Sequence, residues 1–281
     1  MKRHHLIARA AVISIAFAVV HTPAAAQEQL HGSGHDDGRP HLHGNGRWKE
    51  CSIQLDPSLT QGAWRQFTKE AGLVAYFRPL ADAEPLGRGR FEVSAVQWDT
   101  GIDDADDAWN DTFVHPDSTH YLTEGKGLKF PGLMGRVGVS ANTDVGVYFT
   151  KNPNANYGFY GAQVQRRLLG GADRRWAASA RGSFVSLYGP ADANLTVYGM
   201  DLVASRKLTL TRWVAVSPYV GVSGYVSTSH EKSAVVALSD EHVGGGQAMA
   251  GAVLQLSKAR IAAEYNAATV RTISLKVAIG R

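Results

Sequence analysis

The stretch VAVSPYVGVS, Val214 to Ser223, decides the fold. Val214, Val216, Pro218, Val220 and Val222 alternate with Ala215, Ser217, Tyr219, Gly221 and Ser223, a strict period of two. Successive side chains of a strand point to opposite faces, so this pattern makes a strand with one apolar face and one polar or small face. The C-terminus repeats it: Ile273, Leu275, Val277 and Ile279 interleave with Thr272, Ser274, Lys276, Ala278 and Gly280.

Working outward from these two, similar segments fall near 88–98, 132–140, 143–150, 157–168, 175–187, 194–207, 212–227, 247–257, 259–266 and 270–280. The fold class is all-β. Segments of about ten residues between turns suit an antiparallel transmembrane β-barrel of about 10 strands, within a range of 8–12. A soluble two-sheet sandwich gives the same alternation and stays open at this point. Two features favour the barrel. The long gaps, 99–131 and 228–246, fall on the same side of the strand order, while the other side has short links such as Ala141-Asn142 and Thr209-Leu210-Thr211. Short periplasmic turns and longer external loops are the asymmetry of an outer-membrane barrel. Trp176 and Trp213 open strands at one rim, and Trp98, Phe149, Tyr157 and Tyr188 sit near the other, as aromatic girdles do.

With the apolar set facing lipid, the lumen receives Glu92, Arg136, Gln163, Gln165, Arg167, Arg181, Asp201, Arg260, Glu264 and Lys276. Buried charges are expensive unless paired, so Glu92, Arg136, Arg181, Asp201, Arg260, Glu264 and Lys276 are expected to form one polar network. A lumen this narrow is filled by side chains, which predicts a plugged interior or a narrow channel. Residues 51–87, before the barrel at 88–281, carry a short amphipathic helix. Asp56-Pro57 is a start signal, and Leu59, Ala63, Phe67 and Ala71 follow at helical spacing over 57–71. The helix either plugs the periplasmic mouth or packs on the rim.

The chain opens as a secretory signal peptide over 1–26: Met1-Lys2-Arg3, an apolar run from Ala10 to Val20, and Ala24-Ala25-Ala26 at the cleavage site. The run is too short to span a bilayer as a helix. The formal charge of +4 includes Lys2, Arg3 and Arg9, so the exported chain is near neutral and nothing argues for nucleic acid. Cys51 is the only cysteine, which leaves no disulfide frame.

Residues 27–50 are rich in Gly, His and Asp and cannot pack a core, so a disordered tail is expected. His31, His35, His41 and His43 are the candidate metal ligands, suited to Zn²⁺, Cu²⁺ or Ni²⁺. The tail supplies no rigid tetrahedral frame, and a plain solvated linker is the competing account. In the first external loop, Asp103, Asp104, Asp106 and Asp107 form an acidic run that suits divalent cations. Asp111, His115, Asp117 and His120 follow as a candidate metal or acid–base set, with a solvated loop as the alternative. Gly-x-Ser-x-Gly, His-Glu-x-x-His and phosphate-binding glycine motifs are absent from the sequence, and no cofactor is expected. Gly244-Gly245-Gly246 reads as loop flexibility.

The signal segment, the strands over 88–281 and the closing stretch Thr272 to Arg281 together resemble the Gram-negative outer-membrane β-barrel proteins. The resemblance implies an outer-membrane location, contact with lipid and lipopolysaccharide, and insertion by the barrel-assembly machinery. Barrels of this superfamily usually end on an aromatic residue that the machinery reads, whereas this chain ends on Arg281. Three functions follow in order: a non-enzymatic barrel acting as a narrow pore, envelope-structural element or surface binder; an outer-surface enzyme acting on lipid or peptide through the first loop; and a metal-binding envelope protein using the histidine tail.

Overall fold

The period-two segments build a single closed wall in the computed structural model, which describes residues 52–280 apart from 104–105, 115–121, 124–126, 152–154, 156 and 172–174. The wall strands are β1 Phe91–Thr100, β2 Gly127–Gly138, β3 Thr143–Lys151, β4 Gly158–Leu169, β5 Trp176–Tyr188, β6 Ala193–Arg206, β7 Val214–Glu231, β8 Glu241–Leu256, β9 Ala259–Ala267 and β10 Thr272–Gly280. Each pairs antiparallel with its neighbours in sequence, and β10 returns to β1 with Lys276 opposite Val96 and Gly280 opposite Glu92. Closure removes every open edge of the wall and with it the sandwich alternative.

The wall is inside-out relative to a soluble protein. On β6, Met200 is 69% exposed while its neighbour Asp201 is 1% exposed. Val93, Leu133, Val147, Val164, Val222, Leu275 and Val277 likewise stand on the outer surface. A continuous apolar exterior of this kind is a liability in water and the match for a bilayer core. No described helix is long and apolar enough to cross a membrane.

The connections that follow β1, β3, β5, β7 and β9, the two longest among them, leave the wall at one end, the long-loop end, and those that follow β2, β4, β6 and β8 leave it at the other, the short-turn end. Two elements enter what the sequence reads as loop. β7 and β8 run on to Glu231 and from Glu241, and Gly244-Gly245-Gly246 lies inside their ladder. Gly245 sits directly opposite Tyr225, and a Cβ there would stand 2.5 Å from the tyrosine ring. Gly251 repeats the arrangement with Tyr219. These glycines are places where a tyrosine lies flat across the neighbouring strand. Two helices accompany the wall: α1 Gln61–Ala75 precedes it, and α2 Asp107–Asn110 lies in the first loop. Phe113–Val114, beyond α2, pairs with Ser52–Ile53.

α1 begins later than the start signal implies. Its N-cap is Thr60, whose hydroxyl accepts from Ala63 N at 3.2 Å. Asp56 instead closes a local turn, accepting from Ser58 N at 2.8 Å and Ser58 Oγ at 2.7 Å. The helix also lies at the long-loop end: Arg65 pairs with Glu241 at 2.6 Å, and Thr68 meets Ser229 at 2.5 Å. From sequence the helix within 51–87 either plugs the periplasmic mouth or packs on the rim; α1 meets the wall at the mouth that carries the long loops.

The girdle reading needs a similar correction. Trp176 and Trp213 stand exposed at the short-turn end, and Phe149 stacks on Tyr188 near the long-loop end, ring centroids 5.3 Å apart. Trp98 and Tyr157, however, are buried in the lumen, at 2% and 1% exposure. Trp98 shares the parity of Glu92 and Ser94, which turns it inward.

Candidate functional site: the filled lumen

The lumen is occupied along its length by the chain before β1. α1 comes first, its Trp64, Phe67, Ala71 and Val74 at helical spacing on the buried side. They pack among Trp109 and Phe113 of the first loop, Tyr157 just before β4, and Phe130 and Phe159 of the wall. The charges expected to line the whole inner face therefore share it with an aromatic tier at the long-loop end. Trp109 Nε1 donates to Glu70 at 2.6 Å, so the loop helix closes over α1.

At Tyr76 the helix gives way to an extended run, and the end of the helix needs donors because the lumen holds no backbone partner for its last carbonyls. Arg78 supplies them, donating to Leu73 O at 2.7 Å and Tyr76 O at 3.2 Å. The Tyr148 hydroxyl donates to Ala75 O at 2.8 Å. Arg78 also reaches Thr272 Oγ1 at 2.8 Å and lies over the Trp98 ring, 5.8 Å from its centroid. The sequence reading passed over Arg78. Its signal was a lone basic residue just past an amphipathic helix and before Pro79.

The extended run is pinned by wall side chains in order. Tyr76 donates to Asp201 at 2.8 Å, Leu80 N to Glu264 at 3.1 Å, Ala83 N to Ser205 Oγ at 3.1 Å, and Leu86 N to Asp144 at 3.0 Å. Arg167 pairs with Glu84 at 2.7 Å, and Gln165 donates to Asp82 O at 3.1 Å.

The seven charged residues named for the lumen lie on the inner face, six of them in two groups and Glu264 separately. In the first, Glu92 accepts from Lys276 at 2.8 Å and Arg260 at 3.3 Å, with Arg136 at 3.9 Å. Arg136 in turn holds Asp144 at 2.7 Å. In the second, Arg181 binds Asp201 at 2.6 Å and Gln163 at 2.7 Å. Glu264 stands apart from direct ion pairs, accepting from Tyr219 at 2.8 Å, Asn266 at 3.0 Å and the Leu80 amide. Of the seven, Arg260 alone is partly exposed.

In the first loop, Asp111 is buried and its backbone carbonyl accepts from Asp56 N at 2.8 Å, which ties the loop to the start of the plug. Asp106 caps α2 and accepts from Gln66 at 3.0 Å. His115, Asp117 and His120 lie outside the described residues, as do the signal segment, the tail with His31, His35, His41 and His43, Cys51 and Arg281. Among the described residues no group of His, Cys, Asp and Glu is arranged to hold a metal ion.

No protein-family model matches the chain, and no curated protein is similar to it in sequence. Solved structures similar to it include an outer membrane channel from Pseudomonas putida F1, at 10% identity over 73% of this chain and 100% of that one, TM-score 0.42. The beta domain of the Bordetella autotransporter BrkA matches at 12% identity over 68% of this chain and 99% of that one, TM-score 0.39. LpxR from Salmonella typhimurium matches at 10% identity over 68% and 99%, TM-score 0.34. The closed wall, its apolar exterior and its polar lumen make the chain an outer-membrane-type β-barrel.

Proposed function

We propose that the protein is a non-enzymatic integral outer-membrane barrel, sealed by its own N-terminal segment, with an envelope-structural or surface-binding role. The observation that carries this reading is the plug: α1 and the run from Tyr76 to Leu86 fill the lumen, held by side chains of the wall from one end to the other. A segment fixed by so many buried polar bonds does not leave the lumen cheaply, since each group withdrawn must find another partner. The narrow-pore version is therefore disfavoured, and the work falls to the long-loop mouth. Its surroundings are lipid and lipopolysaccharide, with insertion by the barrel-assembly machinery and divalent cations at the acidic first loop.

Export through the N-terminal signal to the outer membrane of a Gram-negative cell is tested by envelope fractionation with heat-modifiable gel mobility. The sealed state is tested in planar bilayers. The full chain is expected to give no single-channel steps, and sustained conductance at low voltage would overturn the sealed reading.

A further inference from the structure

The direction in which the plug runs fixes where the chain before it begins. Leu55 N lies 3.4 Å from Asp192, in the loop between β5 and β6, and Ser52–Ile53 pairs with Phe113–Val114 of the first loop. At the other end, Leu86 N is bound to Asp144, the second residue of β3 next to a short turn. The intermediate anchors at Ser229, Asp201 and Ser205 descend in the same order. Gly87 and Gly89, both with positive φ, then reverse the chain into β1, and Gly89 N donates to Gly138 O at 2.8 Å. β1 climbs back toward the long loops. The segment from Leu55 to Leu86 therefore crosses the full height of the wall antiparallel to β1. Its reach is ample: fifteen helical residues rise about 22 Å, and the extended run adds about 3.3 Å per residue, against an apolar band about 25 Å tall.

We infer that the barrel carries its own N-terminal segment outward through the lumen, so that the chain preceding Ser52 is displayed on the cell surface. This rests on the proposed orientation, in which the long loops face outward. Threading follows from the ordered anchors alone, because a chain that starts at the long-loop mouth and ends at the short-turn mouth has passed between them. The plug is then the stalk of a displayed segment, and its dense anchoring keeps that segment from being drawn back.

The test uses the full chain with a short epitope inserted after Gly46, and in a second version after Val235, in the loop between β7 and β8. Whole cells are labelled with antibody before and after permeabilisation. Immunoblotting confirms that the epitope is still attached, and heat-modifiable mobility confirms folding. Labelling of both epitopes in intact cells, to within about twofold, is the expected result. Labelling of the Val235 epitope alone in intact cells overturns the display while leaving the outward orientation intact. Silence of both until permeabilisation overturns the display together with the orientation. A Thr68→Cys, Ser229→Cys pair in a Cys51→Ser background supplies an independent readout of threading. The two native hydroxyls are 2.5 Å apart, so oxidation is expected to link plug and wall. Absence of the cross-link in a folded barrel counts against the placement of α1 on which the inference depends.

Discussion

Asp201 joins the plug to a buried ion pair of the wall, and Asp201→Asn tests that junction. Arg181 Nε donates to its Oδ2 at 2.6 Å, and its Oδ1 accepts from Tyr76 at 2.8 Å and Ser223 at 2.5 Å. The carboxylate accepts from all three, whereas an amide of the same shape offers a single accepting oxygen and no charge to the Arg181 guanidinium, which can only donate. The Arg181 guanidinium, 2% exposed, loses its carboxylate as well. Breaking a buried pair from one side costs about 3–5 kcal/mol, or two to three and a half orders of magnitude in the folding equilibrium. Tyr76→Phe removes one bond to the same charge and is expected to cost about 1.5–3 kcal/mol. Denaturant titration in detergent micelles, read by gel mobility and tryptophan fluorescence, measures both. Replacing the whole pair, Arg181→Met with Asp201→Leu, is expected to recover much of the loss, because an apolar pair of similar volume has no charge to desolvate. An Asp201→Asn loss under about 1 kcal/mol refutes the fastening. So does a double variant no more stable than the single one.

Three further outcomes follow from the same contacts. Glu92→Gln leaves Lys276, 1% exposed, without its carboxylate at 2.8 Å, and is expected to cost about 3–5 kcal/mol in the same titration. Arg78→Met strips donors from the end of α1, at about 1–3 kcal/mol for each carbonyl left unpaired. Hydrogen exchange should quicken over 61–75 while the wall keeps its mobility shift. Gly245→Val drives a side chain into the Tyr225 ring and is expected to cost about 1–3 kcal/mol by overpacking, with part recovered by adding Tyr225→Ala.

The wall was legible because its information is local. Period two assigns every residue a face, and the parity that puts Val93 outside puts Glu92 inside. Parity also decides Trp98, which is misplaced when read by its height along the strand and correctly turned when read by its neighbours. The path of the plug was illegible for the opposite reason. YFRPLADAEPLGRGR, Tyr76 to Arg90, has two prolines, two glycines, two acidic residues and no period, and so reads as a linker. Its first six residues, Tyr76 to Ala81, are nonetheless buried, and the bonds that hold the run join residues such as Leu80 and Glu264 that lie 184 positions apart. Arg78 is illegible on the same ground, since most of its hydrogen-bond partners are backbone carbonyls, which carry no mark in the sequence.

The two tiers of the lumen answer to the two conformations of the plug. A helix satisfies its own backbone, so α1 can be buried among rings that offer almost no hydrogen bonds, and Phe67 packs against Trp109 and Phe113 at centroid distances of 5.2 and 6.1 Å. An extended run has no internal ladder, and each amide buried without a partner is costly. From Tyr76 onward the wall accordingly presents Asp201, Glu264, Ser205, Gln165 and Asp144, each meeting a backbone or side-chain group of the run. The change from aromatic to polar lining occurs where Arg78 and Tyr148 close the last carbonyls of the helix. Wall and plug are thus matched level by level. A plug shifted along the lumen by one helical turn would set extended backbone against aromatic rings and helix against carboxylates, which is why one seating prevails.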